Sequence, residues 1–234
     1  MLSYLRRRNF PFLLVTNTSR MNSSQIGEKL SGFGYQVNPG EILPVSVAAA
    51  EYLGKEYGSA RCFLIGDESL ERLLGEQGHI VSRKEEAADA VVIGQSLWAN
   101  FGEIDVARRL VEQGAEVVAL HRDAIWPDGE VTRIGLGPII AAMESVIEAP
   151  VTIIGKPQRG FFEAALERTS FTREHTVMIG DSIASDISGA IDAGLRSLLV
   201  RTGNSAADPV PTGCDGALDS IADLPQWCNA QFPD

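Results

Sequence analysis

Cysteine is scarce here: Cys62, Cys214 and Cys228 are the whole supply, odd in number and without a Cys-x-x-Cys spacing. Reduced thiols in a reducing compartment follow from that pattern. Histidine is as sparse, and His79, His121 and His175 lie too far apart to spell a zinc pattern. No apolar run approaches about eighteen residues and there is no secretory h-region, so a soluble, cytoplasmic protein with no membrane partner is expected. Basic residues number 20 against 31 acidic ones, giving a formal net charge of −11. Their only cluster, Arg6-Arg7-Arg8, reads as a solvated helix end, which excludes nucleic acid as a partner. A dinucleotide fold would need Gly-x-Gly-x-x-Gly; the nearest stretch, Gly135-Leu136-Gly137, has Ile140 where the third glycine belongs. No P-loop occurs either, so kinase and ATPase readings drop out. There is no internal repeat.

What is present is a set of short β-rich runs, each ending in chemistry. Val177-Met178-Ile179-Gly180 reads as a buried parallel strand and delivers Asp181 to a sheet's carboxyl edge, with Asp186 in the turn that follows. Two carboxylates so spaced suit one Mg²⁺, which takes oxygen ligands, water and a substrate phosphate. Ser182, Ser185 or Asp186 could equally cap the following helix. Val151-Thr152-Ile153-Ile154-Gly155 runs into Lys156 and Pro157, placing a cation at a strand end. That Lys either neutralises phosphate or carboxylate oxygens or is simply solvated. Phe12-Leu13-Leu14-Val15 runs into Thr16-Asn17-Thr18, whose hydroxyl and amide groups suit a phosphate, or form an ordinary strand-to-helix turn.

Taken in order, Thr16, Lys156, and the pair Asp181 and Asp186 resemble the second, third and fourth motifs of the haloacid dehalogenase (HAD) superfamily. Val15-Thr16-Asn17-Thr18, Ala119-Leu120-His121-Arg122, Gly135-Leu136-Gly137-Pro138, Gly155-Lys156-Pro157 and Met178-Ile179-Gly180-Asp181-Ser182 make the chain similar to the class IIA phosphatases. Within these the resemblance is to the branch holding phospholysine phosphohistidine inorganic pyrophosphate phosphatase. It implies an α/β protein: a Rossmann-like parallel-sheet core of residues 1–45 and 135–234, with a C2-type αβ cap inserted at 46–134. It also implies Mg²⁺ at Asp181 and Asp186, phosphate contacts from Thr16, Asn17 and Lys156, catalytic roles for Thr16 and Lys156, and a small phosphorylated substrate. Cap-to-cap homodimers are plausible on the same ground.

The family's chemistry begins at Asp-x-Asp on its first strand, and no such pair occurs in this sequence. The first of those acids is the nucleophile, the second the general acid and base. Met1 to Arg8 reads as the end of the helix after that strand, so the chain starts about one βα unit late. Either the start is misassigned and the natural protein is a Mg²⁺-dependent phosphatase, the favoured expectation, or a shortened protein binds Mg²⁺ and phosphate without turnover. The chain as given is expected to be inactive. Within it, strands are expected at Arg61 to Ile65, Ala90 to Ile93, Glu116 to Leu120 and Ser197 to Val200. Helices are expected at Val47 to Tyr57, Ser69 to Gly75, Glu103 to Gln113, Pro138 to Ile147, Gly160 to Thr169 and Ile183 to Ala193. A hairpin turns at Asp128-Gly129, and the tail from Asn204 reads as loops with a docked segment anchored by Trp227.

Overall fold

Short apolar runs alternating with amphipathic helices fill residues 15–155. The computed structural model, which describes residues 1–232, gathers them into one compact unit, while residues 1–14 and 156 onward form a second. Helix α1 (Leu2–Arg7) belongs to the second. In the first, β1 (Leu14–Thr16) pairs with β2 (Ile42–Pro44). Between them α2 (Ser23–Gly32) opens on a capping box in which Asn22 and Gln25 satisfy each other's backbone N–H groups. There follow α3 (Val45–Tyr57), β3 (Arg61–Ile65), α4 (Glu68–Glu76), β4 (Ile80–Ser82) and β5 (Ala90–Ile93). The unit is completed by α5 (Phe101–Glu112), β6 (Glu116–Ala119), the hairpin β7 (Ile125–Asp128) and β8 (Val131–Ile134), α6 (Gly137–Glu144) and β9 (Val151–Ile153).

Five strands make a parallel sheet in the order β4-β3-β5-β6-β9. Beyond their first residues its inner strands are apolar because both faces are covered: Leu64, Ile65, Val91, Val92, Val117 and Val118 are all fully buried. Each such side chain contributes roughly 1.5–3 kcal/mol relative to exposure. One polar knot ties helix to sheet. Glu116 Oε1 accepts hydrogen bonds from Tyr52 Oη (2.8 Å) and Thr152 Oγ1 (2.6 Å), and Oε2 accepts from Tyr57 Oη (2.8 Å). Burial, followed by the Glu116 carboxylate, pushes the Tyr52 phenol up to about 12 and raises Tyr57 as well. In the unfolded chain a tyrosine ionises near 10. The native state therefore holds more protons above that pH, and stability is expected to fall as pH climbs from about 10 through 12. Ultraviolet titration of phenolate absorbance in Glu116→Gln should show both tyrosines ionising earlier than in the parent.

The expected domain boundaries, after residues 45 and 134, both fall inside the 15–155 unit. At the later boundary the reason is the pairing of β9. The run that ends before Lys156 was expected to return to the core, yet Val151, Thr152 and Ile153 pair with Val117, Val118 and Ala119 and complete the five-stranded sheet.

The second unit adds α7 (Arg159–Thr169), β10 (Val177–Gly180), α8 (Ser188–Asp192), β11 (Arg196–Val200), β12 (Ala217–Leu218) and α9 (Leu224–Gln231). Its sheet is parallel, ordered β10-β11-β12. The helix expected from Ile183 begins instead as a π-helical turn, Ile183–Ile187, with α8 only beyond it. Ile187 N–H donates to the Ser182 carbonyl, and the widened turn brings Asp186 back toward Ser182. Terminal helices clasp each other in this unit: Asn229 Oδ1 accepts from Tyr4 Oη (2.6 Å) and Arg8 Nη1 (2.8 Å). Trp227 packs there with Leu198, Leu218 and Leu224, under the Arg196 guanidinium. Among the described residues no helix is long and apolar enough to cross a membrane.

Candidate functional site

β10 and β11 run parallel, so the loops that follow them open at the same sheet edge, where α/β sheets receive ligands. Asp181 stands directly after β10, and Asp186 sits in the π-turn. Lys156 Nζ donates to Asp186 Oδ1 at 2.6 Å, with only 10% and 6% of the two side chains exposed. Burying two charges is costly, and a carboxylate and an ammonium coexist there because each neutralises the other. Asp186 Oδ2 accepts the Ser182 N–H (3.1 Å), while Ser182 Oγ accepts the Ser185 N–H (3.2 Å). Of the three side chains able to cap this turn, Ser182 is the one that does so.

Asp181 is held from a direction the sequence did not advertise. Its Oδ2 accepts the Asn204 N–H (2.8 Å), and its carbonyl accepts the Ser205 N–H (3.0 Å). Ser205 Oγ in turn accepts the Ile183 N–H (3.1 Å). Asn204 and Ser205 open the segment that the sequence pattern presents as an irregular tail. The signal that would have found it is its place right after β11, the strand beside β10.

Asp181 and Asp186 together offer hard oxygen donors with lone pairs left after these hydrogen bonds. That donor set fits a small divalent cation which completes its shell with water. Among the described residues no group of three or more His, Cys, Asp or Glu side chains assembles as a metal site.

Thr16 and Asn17 belong to the 15–155 unit, whereas Lys156, Asp181 and Asp186 belong to the other. Thr16 Oγ1 accepts the Thr18 N–H (3.1 Å) and shares a 2.9 Å hydrogen bond with Thr18 Oγ1, closing a tight turn after β1. The Asn17 amide donates to Asp123 Oδ2 at 3.3 Å. His121, 4% exposed, places Nδ1 3.1 Å from the same oxygen.

A haloacid dehalogenase-like hydrolase family model matches residues 1–80, and a HAD-hydrolase-like model matches residues 153–224. Haloacid dehalogenase-like hydrolase domain-containing protein 2 from Bos taurus is 31% identical over 88% of this chain and 77% of its own length. The 5'-nucleotidase YutF from Bacillus subtilis is 27% identical over 95% of this chain and 86% of its own. Among solved structures, a double mutant of the thermostable NPPase from Geobacillus stearothermophilus superimposes with a TM-score of 0.87 at 29% identity. It covers 94% of this chain and 88% of that one.

Proposed function

Because this chain belongs to the haloacid dehalogenase superfamily, in its class IIA, we propose that it is built to bind the phosphoryl group of a small metabolite beside Mg²⁺ and, in a form holding the nucleophile, to hydrolyse it. The observation that carries this reading is the buried Lys156–Asp186 pair with Asp181 beside it at a strand end. A structural ion pair gains little from burial, whereas a phosphate site needs a cation of this kind and a metal needs such carboxylates. In this reading Lys156 faces a phosphoryl oxygen while Asp181 and Asp186 hold the cation; in the 15–155 unit the Thr16 hydroxyl is a group suited to a phosphoryl oxygen. Bound Mg²⁺ supplies neutralisation of phosphate charge. Residues 46–134, as a cap, select the leaving group. The relative named as a 5'-nucleotidase supports a phosphomonoester as the substrate class.

Hydrolysis through an aspartyl phosphate requires a carboxylate nucleophile and its acid-base partner, and these 234 residues contain no Asp-x-Asp. That observation favours a second reading, in which the chain binds Mg²⁺ and phosphate without turning over an ester. Calorimetric titration with inorganic phosphate separates both from a purely structural pair: binding should require Mg²⁺, and Asp181→Asn should abolish this Mg²⁺-dependent binding. Unchanged metal dependence in Asp181→Asn would refute the assignment. Release of nitrophenolate from p-nitrophenyl phosphate then decides between hydrolysis and binding alone.

A further inference from the structure

Several motifs of the 15–155 unit have no role in the reading above, yet they converge on one side chain. His121, Arg122 and Asp123 follow β6, and β9, its neighbour in the sheet, leads into Gly155. The Gly155 N–H donates to the Leu120 carbonyl at 2.7 Å, so the two strand ends are stitched together. Gly155 also lies against the Asn17 amide: a Cβ there would stand 2.6 Å from Asn17 Oδ1 and 2.7 Å from the Leu120 oxygen. Only glycine leaves room for Asn17.

The segment that carries Asp123 is braced by Glu144 and by the backbone of Gly135 and Gly137. Arg122 makes a two-pronged ion pair with Glu144 of α6, Nη1 to Oε2 at 2.8 Å and Nη2 to Oε1 at 2.6 Å. The Gly137 N–H donates to the Asp123 carbonyl (3.0 Å), and the Gly135 N–H to the Ala124 carbonyl (2.8 Å). His121 Nδ1 accepts the Asp123 N–H at 3.3 Å when the ring is neutral, and donates to Asp123 Oδ2 when it is protonated. Either state fixes residue 123. These contacts hold residue 123 in place, and its partly exposed carboxylate presents Oδ2 to the Asn17 amide.

We propose that Asp123 is a positioning residue, which holds Asn17 as a strut so that the Thr16-Asn17-Thr18 turn keeps the shape that receives a phosphoryl oxygen. Asn17 thereby acts on the phosphate through the backbone it anchors, one N–H of its amide donating to Asp123. The inference rests on the phosphate reading of Thr16. It assigns work to His121, Arg122, Gly135 and Gly137 as the mount of that carboxylate.

The test pairs two readouts on Asp123→Ala and Asp123→Asn in the full chain. Calorimetry with Mg²⁺ and inorganic phosphate reads the turn; the side-chain amide resonance of Asn17, identified by its loss in Asn17→Ser, reads the strut. Asp123→Ala should weaken phosphate binding about tenfold and move the Asn17 resonance. Asp123→Asn, which keeps an acceptor oxygen, should recover most of the affinity. An Asp123→Ala protein with unchanged affinity overturns the proposal, and so does Asp123→Asn binding as weakly as Asp123→Ala. Should the parent chain bind no phosphate, the phosphate reading fails by itself. The Asn17 resonance then judges the strut alone: displaced by Asp123→Ala it stands, unmoved it falls.

Discussion

Replacing Lys156 by methionine is expected to destabilise the protein by about 3–5 kcal/mol, because Asp186 would be left as a buried charge with no cation. Its side chain is only 6% exposed, and the Ser182 N–H supplies partial compensation at best. Adding Asp186→Leu to Lys156→Met should recover most of that loss, since an apolar pair of similar volume has no charge to desolvate. Urea unfolding of the three proteins measures this, with an unchanged slope showing that only stability has moved. A recovered double variant that no longer binds Mg²⁺ and phosphate would mean the ion pair serves chemistry. A double variant as unstable as the single one would make it a structural element.

Gly203→Ala should be nearly as damaging, although nothing in the residue itself hints at it. A Cβ at 203 would lie 2.5 Å from both Cβ and Cγ of Asp181, so rotating the carboxylate away cannot relieve the clash. Overpacking of this kind costs about 1–3 kcal/mol. The larger effect is on the cation: with Asp181 displaced, affinity for Mg²⁺ is expected to drop roughly 10–100-fold, as when a ligand loses its supporting shell. Gly160→Ala in α7, where a Cβ meets nothing within 4 Å, is the matching control and should be neutral or slightly stabilising. Mg²⁺ titration of the two variants compares them directly. Equal affinities would remove the 203–205 loop from the site.

Strands Arg61–Ile65 and Ala90–Ile93 stand at the residues that the sequence pattern predicts, since short uninterrupted apolar runs bounded by glycine or charge have few other uses. Strand β4 escaped because Ile80 is 61% exposed at a sheet edge, where burial leaves no alternation to read. The pairing of β9 with β6 escaped for another reason: an apolar strand does not say which parallel neighbour it will choose. Asp181 and Lys156 were legible as strand-end residues, because a charged group closely following an apolar run is a local signal, and Asp186 as the acid in the turn beyond. The backbone amides of Asn204 and Ser205, and the carboxylate of Asp123, were not. Their partners lie 23 or more positions away, and amide donors carry no residue-type signature at all.

The clasp between α1 and α9 bears on how the chain is made. Tyr4 and Arg8 meet Asn229 across 225 and 221 positions, while residues 15–155 form their unit without a break. A ribosome therefore finishes the contiguous unit first, and α1 waits with its apolar side, Tyr4 and Leu5, unsatisfied until α9 has been made. Closing so long a loop comes late and slowly. Synthesis that halts before Asn229 leaves the first helix without its partner, exposing that face to chaperones and proteases while the 15–155 unit is already complete.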